Sequence, residues 1–452
     1  MLYKVKKERL FTNHQLLALL WPLIIEQALG VLVGMADTVM VSSVGEAAIS
    51  GVSLVDMINQ LIITVFGALA TGGAVVTSQH LGAKRPEEAA RSAGQLVGLS
   101  GILGTAVAVF CLVTRTAQLR LFFGTISEDV MQACLTYFTI TALSFPFLAL
   151  YNAGAAIFRS TGNSAVSMKV SVLVNAINFC GNALCVFVLR MGVAGVAVPT
   201  LVSRAVGAVI ILSLAAKRDY VLRITPRTVT RLEGRTVRSI LYIGIPSAFE
   251  NSLFQLGRVL VVSMISLFGT VHISANAVAN NLDAVGCIVG NAMGLAMITV
   301  VGRCVGAQDF EQTKHYTKKL LLWDYIAQGT VNLLVLLFLN RILGMYTLSP
   351  ETRALSWTLV MIHDGVAILL WPAGFVLPNA LRAANDVRFT MVTSILSMIV
   401  WRMGLSWILC VNMGMGAVGV WLAMVVDWIC RVTCFVIRFA SGAWQKSAMK
   451  KV

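Results

Sequence analysis

Charge is scarce in this sequence: Asp, Glu, Lys and Arg make up 12% of 452 residues and hydrophobic residues 58%, whereas a soluble globular chain carries roughly 25% charged residues. That balance excludes a protein whose main solvent is water. Long polar stretches are missing too, the longest being Lys217 to Arg238, so no appended soluble domain is expected. The nine cysteines (Cys111, Cys134, Cys180, Cys185, Cys287, Cys304, Cys410, Cys430, Cys434) show neither paired loop spacings nor a Cys-x-x-Cys element. They read as packing residues, not as disulfides or zinc ligands. The five histidines (His14, His80, His272, His315, His363) make no metal-spaced cluster, and there is neither a Ser-His-Asp arrangement nor a phosphate-cradling glycine loop. No enzyme, cofactor or metal is expected, and His363 beside Asp364 reads as a structural pair. The net charge of +15 does not interleave with aromatics as a nucleic-acid groove requires. The basic opening MLYKVKKERLFT ends in no small-residue cleavage site, so a cleaved signal peptide is not expected.

What is present is a succession of apolar runs long enough to cross a bilayer. They fall near residues 15–41, 50–79, 92–114, 129–158, 165–189, 193–215, 238–267, 273–302, 320–340, 354–380, 389–411 and 416–438, twelve in all. With the amino terminus inside, 26 of the 35 Lys and Arg lie in inside segments, five (Arg115, Arg120, Arg190, Arg341, Arg353) outside, and the remaining four within or at the ends of spans. Lysine and arginine collect on the cytoplasmic side, so both termini are expected there, in a plasma (inner) membrane.

The halves repeat when one is slid along the other by 224 positions: Pro22 meets Pro246, Glu26 meets Glu250, Gly45 meets Gly269, Gly82-Ala83 meets Gly306-Ala307, Glu87 meets Glu311, and Gly192 and Gly195 meet Gly416 and Gly419. Phe158-Arg159 and Leu381-Arg382 correspond after a shift of one. Six spans per repeat is an even number, so both repeats enter from the same side and the axis relating them runs along the membrane normal. The expected organisation is an amino-terminal six-helix lobe over 1–216, a cytoplasmic linker over 217–237 and a carboxy-terminal six-helix lobe over 238–452.

Pro22, Asp37-Thr38-Val39-Met40-Val41, Gln79-His80-Leu81-Gly82-Ala83, Phe158-Arg159-Ser160-Thr161-Gly162-Asn163, Gly244-Ile245-Pro246 and Leu381-Arg382-Ala383-Ala384-Asn385-Asp386 together resemble the multidrug and toxic compound extrusion (MATE) family over essentially the whole chain. The resemblance implies an all-α V-shaped pair of pseudo-symmetric lobes around a central cleft. It also implies antiport: organic cations or other toxic compounds leave against an inward flow of protons or sodium ions. The expected partners are a lipophilic cationic substrate and membrane lipid, with no nucleic acid, for a monomeric protein.

Carboxylates inside a bilayer are costly and functional by default. The deepest are expected to be Glu26, Asp37, Asp56, Glu250, Asp283, Asp364 and Asp427. In the pattern that carries the resemblance, Asp37 is the ion-coupling residue. Asn175, Asn178 and Asn182 lie on one helical stripe, and Asn178 and Asn182 are assigned to the coupling site with Asp37. Glu250, the repeat partner of Glu26, is assigned with it to substrate or cation binding. The resemblance would add an aspartate near position 371, where this sequence has Trp371-Pro372. The repeat also pairs Asp56 with Asn280 and Asn59 with Asp283, giving each half one Asp and one Asn at spacing three, assigned to the cleft. A lipid or lipid-linked precursor flippase is the nearest rival reading. It would need basic groups for phosphate, and only Arg258 and Arg402 read as clearly within spans. A membrane-embedded enzyme is a more distant rival.

Overall fold

The computed structural model describes residues 9–124, 127–218 and 220–449. Lys4, Lys6, Lys7, Lys450 and Lys451, which carry part of the inside charge, lie outside them. Among the described residues the chain is helical, without strands.

The first half consists of α1 (Asn13–Ser42), α2 (Glu46–Gly82), α3 (Pro86–Phe123), α4 (Glu128–Leu143), α5 (Phe145–Ser160), α6 (Ser164–Ala183) and α7 (Ala194–Ala215). A short α8 (Pro226–Thr230) lies in the linker. The second half holds α9 (Gly234–Ser266), α10 (Thr270–Gly286), α11 (Ile288–Gly306), α12 (Phe310–Gly344), α13 (Pro350–Trp371), α14 (Leu377–Ala383), α15 (Val387–Ser397), α16 (Gly416–Ala440) and a terminal α17 (Gln445–Ala448). Helix starts follow local chemistry: Thr12 and Gln15 close a capping box ahead of α1, and Pro350 occupies the first turn of α13, where its missing N–H costs nothing.

Among the described residues ten helices are long and apolar enough to cross a membrane, eleven if α4 and α5, bent by 45° at their junction, count as one span. The twelfth expected span is α9. Its 33 residues suffice in length, but Glu250, Asn251, Gln255 and Arg258 dilute its hydropathy. α10 and α11 break at Cys287, where the repeat-related α2 runs on for 37 residues. Wide π turns interrupt the helices at 184–188, 372–376, 398–405 and 407–412; such turns commonly mark functional places.

The halves meet at one end of the bundle, where α2 packs against α9 and α11, and glycines set the spacing there. A Cβ on Gly82 would stand 2.0 Å from the Arg303 carbonyl oxygen, and one on Gly306 would stand 1.9 Å from that of Gln79. These contacts are the same contact read twice, since Gln79 and Arg303 are themselves repeat partners. Hydrogen bonds repeat it. Gln79 Nε2 donates to the Ala383 carbonyl at 2.8 Å and to Asn385 Oδ1 at 3.0 Å, while Arg303 Nη2 donates to the Ser160 carbonyl at 2.8 Å. The linker is held to the first half by Gln95, which bonds the backbone of Thr228, Arg231 and Glu233. Trp21, Leu32, Val113, Leu121 and Leu337 are among many large apolar side chains left exposed, an outer surface suited to hydrocarbon.

Candidate ion and substrate sites

Asp37 lies 24 residues into α1, facing the asparagine stripe of α6. Its Oδ1 accepts from Asn182 Nδ2 at 2.8 Å. With the Asn178 amide nitrogen turned toward Asp37, the orientation its neighbours require, it donates to both carboxylate oxygens at 3.2 and 3.3 Å, and its own oxygen accepts from the Thr200 hydroxyl at 3.0 Å. Asn182 Oδ1 is buried without a partner among the described residues. The three residues assigned to ion coupling therefore form one cluster, to which α7 adds Thr200. Asn175 stands apart, donating to Ser171.

Asp56 accepts from Asn59 at 3.2 Å and from the Tyr137 hydroxyl at 3.1 Å. In the other half, Asn280 donates to the Asn276 carbonyl at 2.8 Å, and Asp283 lies 2.8 Å from His363 Nε2 and accepts from Cys287 Sγ at 3.0 Å. The two Asp and Asn pairs are thus bound to partners in their own halves.

Glu26 and Glu250 are not free carboxylates. Glu26 pairs with Arg159 at 3.5 Å and Glu250 with Arg382 at 2.7 Å, so the repeat that matches the glutamates also matches their arginines. Glu250 borders a cavity of about 260 Å³ lined also by Asn291, Phe254, Trp371, Phe375 and Arg431. Trp371, where the resemblance would place an aspartate, stacks on Phe375 with ring centres 5.0 Å apart. Arg431 is itself paired with Asp427 at 2.9 Å. The cavity combines aromatic faces with balanced charge, not the acidic surplus the sequence suggests.

Three features escape the sequence reading. Asp324, Gln328 and Asn332 follow one another at spacing four on α12, all fully buried, and their side-chain oxygens have no partner among the described residues. The apolar run begins only at 320, which makes Asp324 look like an edge residue, but α12 starts at Phe310 and puts Asp324 about 21 Å along it. Arg204 and Arg431 also lie within spans, as their position in apolar runs already signals, so the count of two internal arginines is too low; Arg204 donates to Ser144 at 2.7 Å. Finally, His363 does more than stand beside Asp364: it bridges Asp364, 2.7 Å from Nδ1, and Asp283. Cys287, read as packing, brings its sulfur within 4.8 Å of the donor atoms of Asp283 and His363, a grouping that distance along the chain conceals.

The family profile described as MatE matches residues 22–184 and again 246–408, one match in each half. The uncharacterized transporter YisQ of Bacillus subtilis (strain 168) is 27% identical over 97% of this chain and 96% of its own. The probable multidrug resistance protein NorM of Thermotoga maritima is 25% identical over 99% and 96%. Among solved structures, an outward-facing multidrug resistance MATE transporter of the MOP superfamily superposes with a TM-score of 0.89 at 20% identity, over 96% of both chains. A MOP superfamily transporter from Pyrococcus furiosus, described as having a binding pocket of reverse polarity, gives 0.87 at 22%, over 97% and 96%. The two-lobed fold expected from the sequence is the fold of these neighbours.

Proposed function

The chain belongs to the MatE family, whose members are membrane transporters and not enzymes, and from that premise we propose that it is a secondary active antiporter exporting toxic small molecules in exchange for protons or sodium ions. One observation carries this reading: Asp37, a carboxylate within a span, is held by the amides of Asn178 and Asn182 and, among the described residues, by no basic side chain. A carboxylate so placed takes up and releases a monovalent cation or a proton at little structural cost, whereas one locked to an arginine does not. A potential of 100 mV supplies about 2.3 kcal/mol per charge moved inward, worth roughly a fiftyfold concentration ratio.

Organic cations are the first substrate class. Asp37 and Asp56 supply negative charge in the first half, and Trp371 adds an aromatic face to the cavity, whose Phe254 and Phe375 rings are already faced by Arg431. The names of the relatives support multidrug export. The protein works as a monomer in lipid of the plasma (inner) membrane, with both termini and the 217–237 linker cytoplasmic and lobes at 1–216 and 238–452. In this reading Glu26 and Glu250, with Asp56, Asn59, Asn280 and Asp283, shape the cleft, and the arginine-paired glutamates act chiefly through polarity. A second reading, a lipid-linked precursor flippase, is favoured by one observation: Arg382 and Arg431 both border the cavity and would suit phosphate.

The test is export of ethidium from liposomes with proton and sodium gradients imposed separately. One gradient should drive export in the parent protein and fail in Asp37→Asn. Translocation of a fluorescent phospholipid with no ethidium movement would put the flippase reading first.

A further inference from the structure

The second half contains a string of polar groups that the Asp37 site does not use. It starts at Asp283 on α10, whose side chain keeps 25% of its exposure, and passes to His363 and Asp364 on α13, at 3% and 1%. From there it continues down α12 through Asn332 and Gln328 to Asp324, all at 0%. Two glycines make room for it. A Cβ on Gly286 would meet Asn332 Oδ1 at 2.3 Å and Asp364 Oδ1 at 3.7 Å, which puts those oxygens within about 6 Å of each other, and a Cβ on Gly290 would meet Gln328 Oε1 at 2.1 Å. Gly290 also borders the 260 Å³ cavity. Eight residues separate Asn332 from Asp324, about 12 Å along the helix axis, so the string runs along the direction of transport.

Proton bookkeeping gives the cluster a role. His363 stands between two carboxyls, at 2.8 Å from Asp283 and 2.7 Å from Asp364, and two hydrogen bonds require two protons. A neutral imidazole brings one. The second is held by the ring or by one of the carboxyls, so the trio stores an exchangeable proton. Among the described residues Asp324 has no partner on either oxygen, nor has Oδ2 of Asp364, and an ionised carboxylate buried without a partner is too costly to persist unless it binds a proton or a cation. Chains of Asp and His at such depth serve as proton relays in membrane transporters.

We propose that the second half carries its own proton relay, in which His363 passes protons between Asp283, at the accessible end, and Asp364, while Asp324, deeper in the same buried string, is a separate proton store whose exchange with Asp364 runs through water held by the Asn332 and Gln328 amides. The step is balanced: Asp283 gives its proton to Nε2 as Nδ1 gives its proton to Asp364, and the ring recovers its first tautomer by the reverse transfer or a flip. The charged and titratable neighbours are Arg258 from α9 and Arg402 from the 398–405 turn, both near Asp283, Cys287 at the break between α10 and α11, Tyr325 beside Asp324, and the Asp427–Arg431 pair on α16. Trp421 and Trp428 close the site with ring centres 5.5 and 5.0 Å from that of His363. This relay deepens the antiport reading but is independent of Asp37.

Infrared difference titration of the full-length protein in nanodiscs tests it without any substrate. The parent should show a carboxylic acid C=O band that titrates, is absent in Asp324→Asn, and is retained in Asp37→Asn; His363→Gln should alter the titration of the remaining carboxyls. Gln328→Leu removes no titrating group and should slow exchange at the Asp324 band only, so it guards against a misfolded Asp324→Asn. Spectra of Asp324→Asn and His363→Gln matching the parent at every pH overturn the relay. Loss of ethidium export in Asp37→Asn bears on the antiport reading alone, so the two fail separately.

Discussion

Replacing Gly306 by alanine should loosen the end of the bundle where the two halves touch. The added methyl would lie 1.9 Å from the Gln79 carbonyl oxygen, and carbon atoms in such positions essentially never come within 3.0 Å. The halves must therefore part by about 1.1 Å locally, because a backbone carbonyl, unlike a side-chain tip, has no rotamer to escape into. Overpacking of this kind costs about 1–3 kcal/mol. Alanine's better helix propensity, about 1 kcal/mol, is gained whether the halves touch or part and cancels from the balance between those states. What remains shifts that balance about 5- to 150-fold toward separation. If the separated state holds about 1% in the parent, it should hold roughly 5–60% in the variant. Spin labels at Glu87 and Glu311, exposed repeat partners at this end, would read this as a growing long-distance population in pulsed dipolar spectra. An unchanged distance distribution in a folded Gly306→Ala protein would refute the claim that this contact holds the halves together.

Glu250→Gln leaves Arg382 buried without its partner, so it should destabilise by about 3–5 kcal/mol, seen as a lower unfolding temperature in detergent. The double change Glu250→Gln with Arg382→Gln should recover most of the loss, and a double variant as unstable as the sum of its parts would mean that the pair is not coupled. Asp37→Asn keeps shape and hydrogen-bonding reach, so thermal stability should stay within about 1 kcal/mol while gradient-driven ethidium export stops; export at the parental rate removes Asp37 from the coupling step. With native cysteines replaced, a cysteine at Ser349 should react with an impermeant maleimide in intact cells and one at Arg227 should not. The opposite pattern inverts the topology.

Much of this architecture is legible in the sequence because its signals are local or periodic. Apolar run length reports spans, and a single register of 224 reports the repeat. The Asp37 cluster is legible in part, since Asn178 and Asn182 share a helical stripe, but Thr200 joins it only through the packing of α7. What stays hidden is pairing across helices. Glu26 meets Arg159 and Glu250 meets Arg382 over separations of more than 130 residues, and no periodicity announces an ion pair that distant. The apolar-run criterion also misjudges whatever lies at its edges. Asp324 falls near the start of a run that begins ten residues after its helix does.

The reciprocal contact of Gly82 with Arg303 and Gly306 with Gln79 is isologous: one patch meets a copy of itself across a twofold axis, as in a symmetric homodimer. A half-length chain with the features common to both repeats would carry the whole of that patch, donor and acceptor alike. Two such chains inserted in the same orientation could associate through it without any covalent connection. The linker would then be a convenience of stoichiometry, and the two halves expressed as separate polypeptides should still find each other in the membrane.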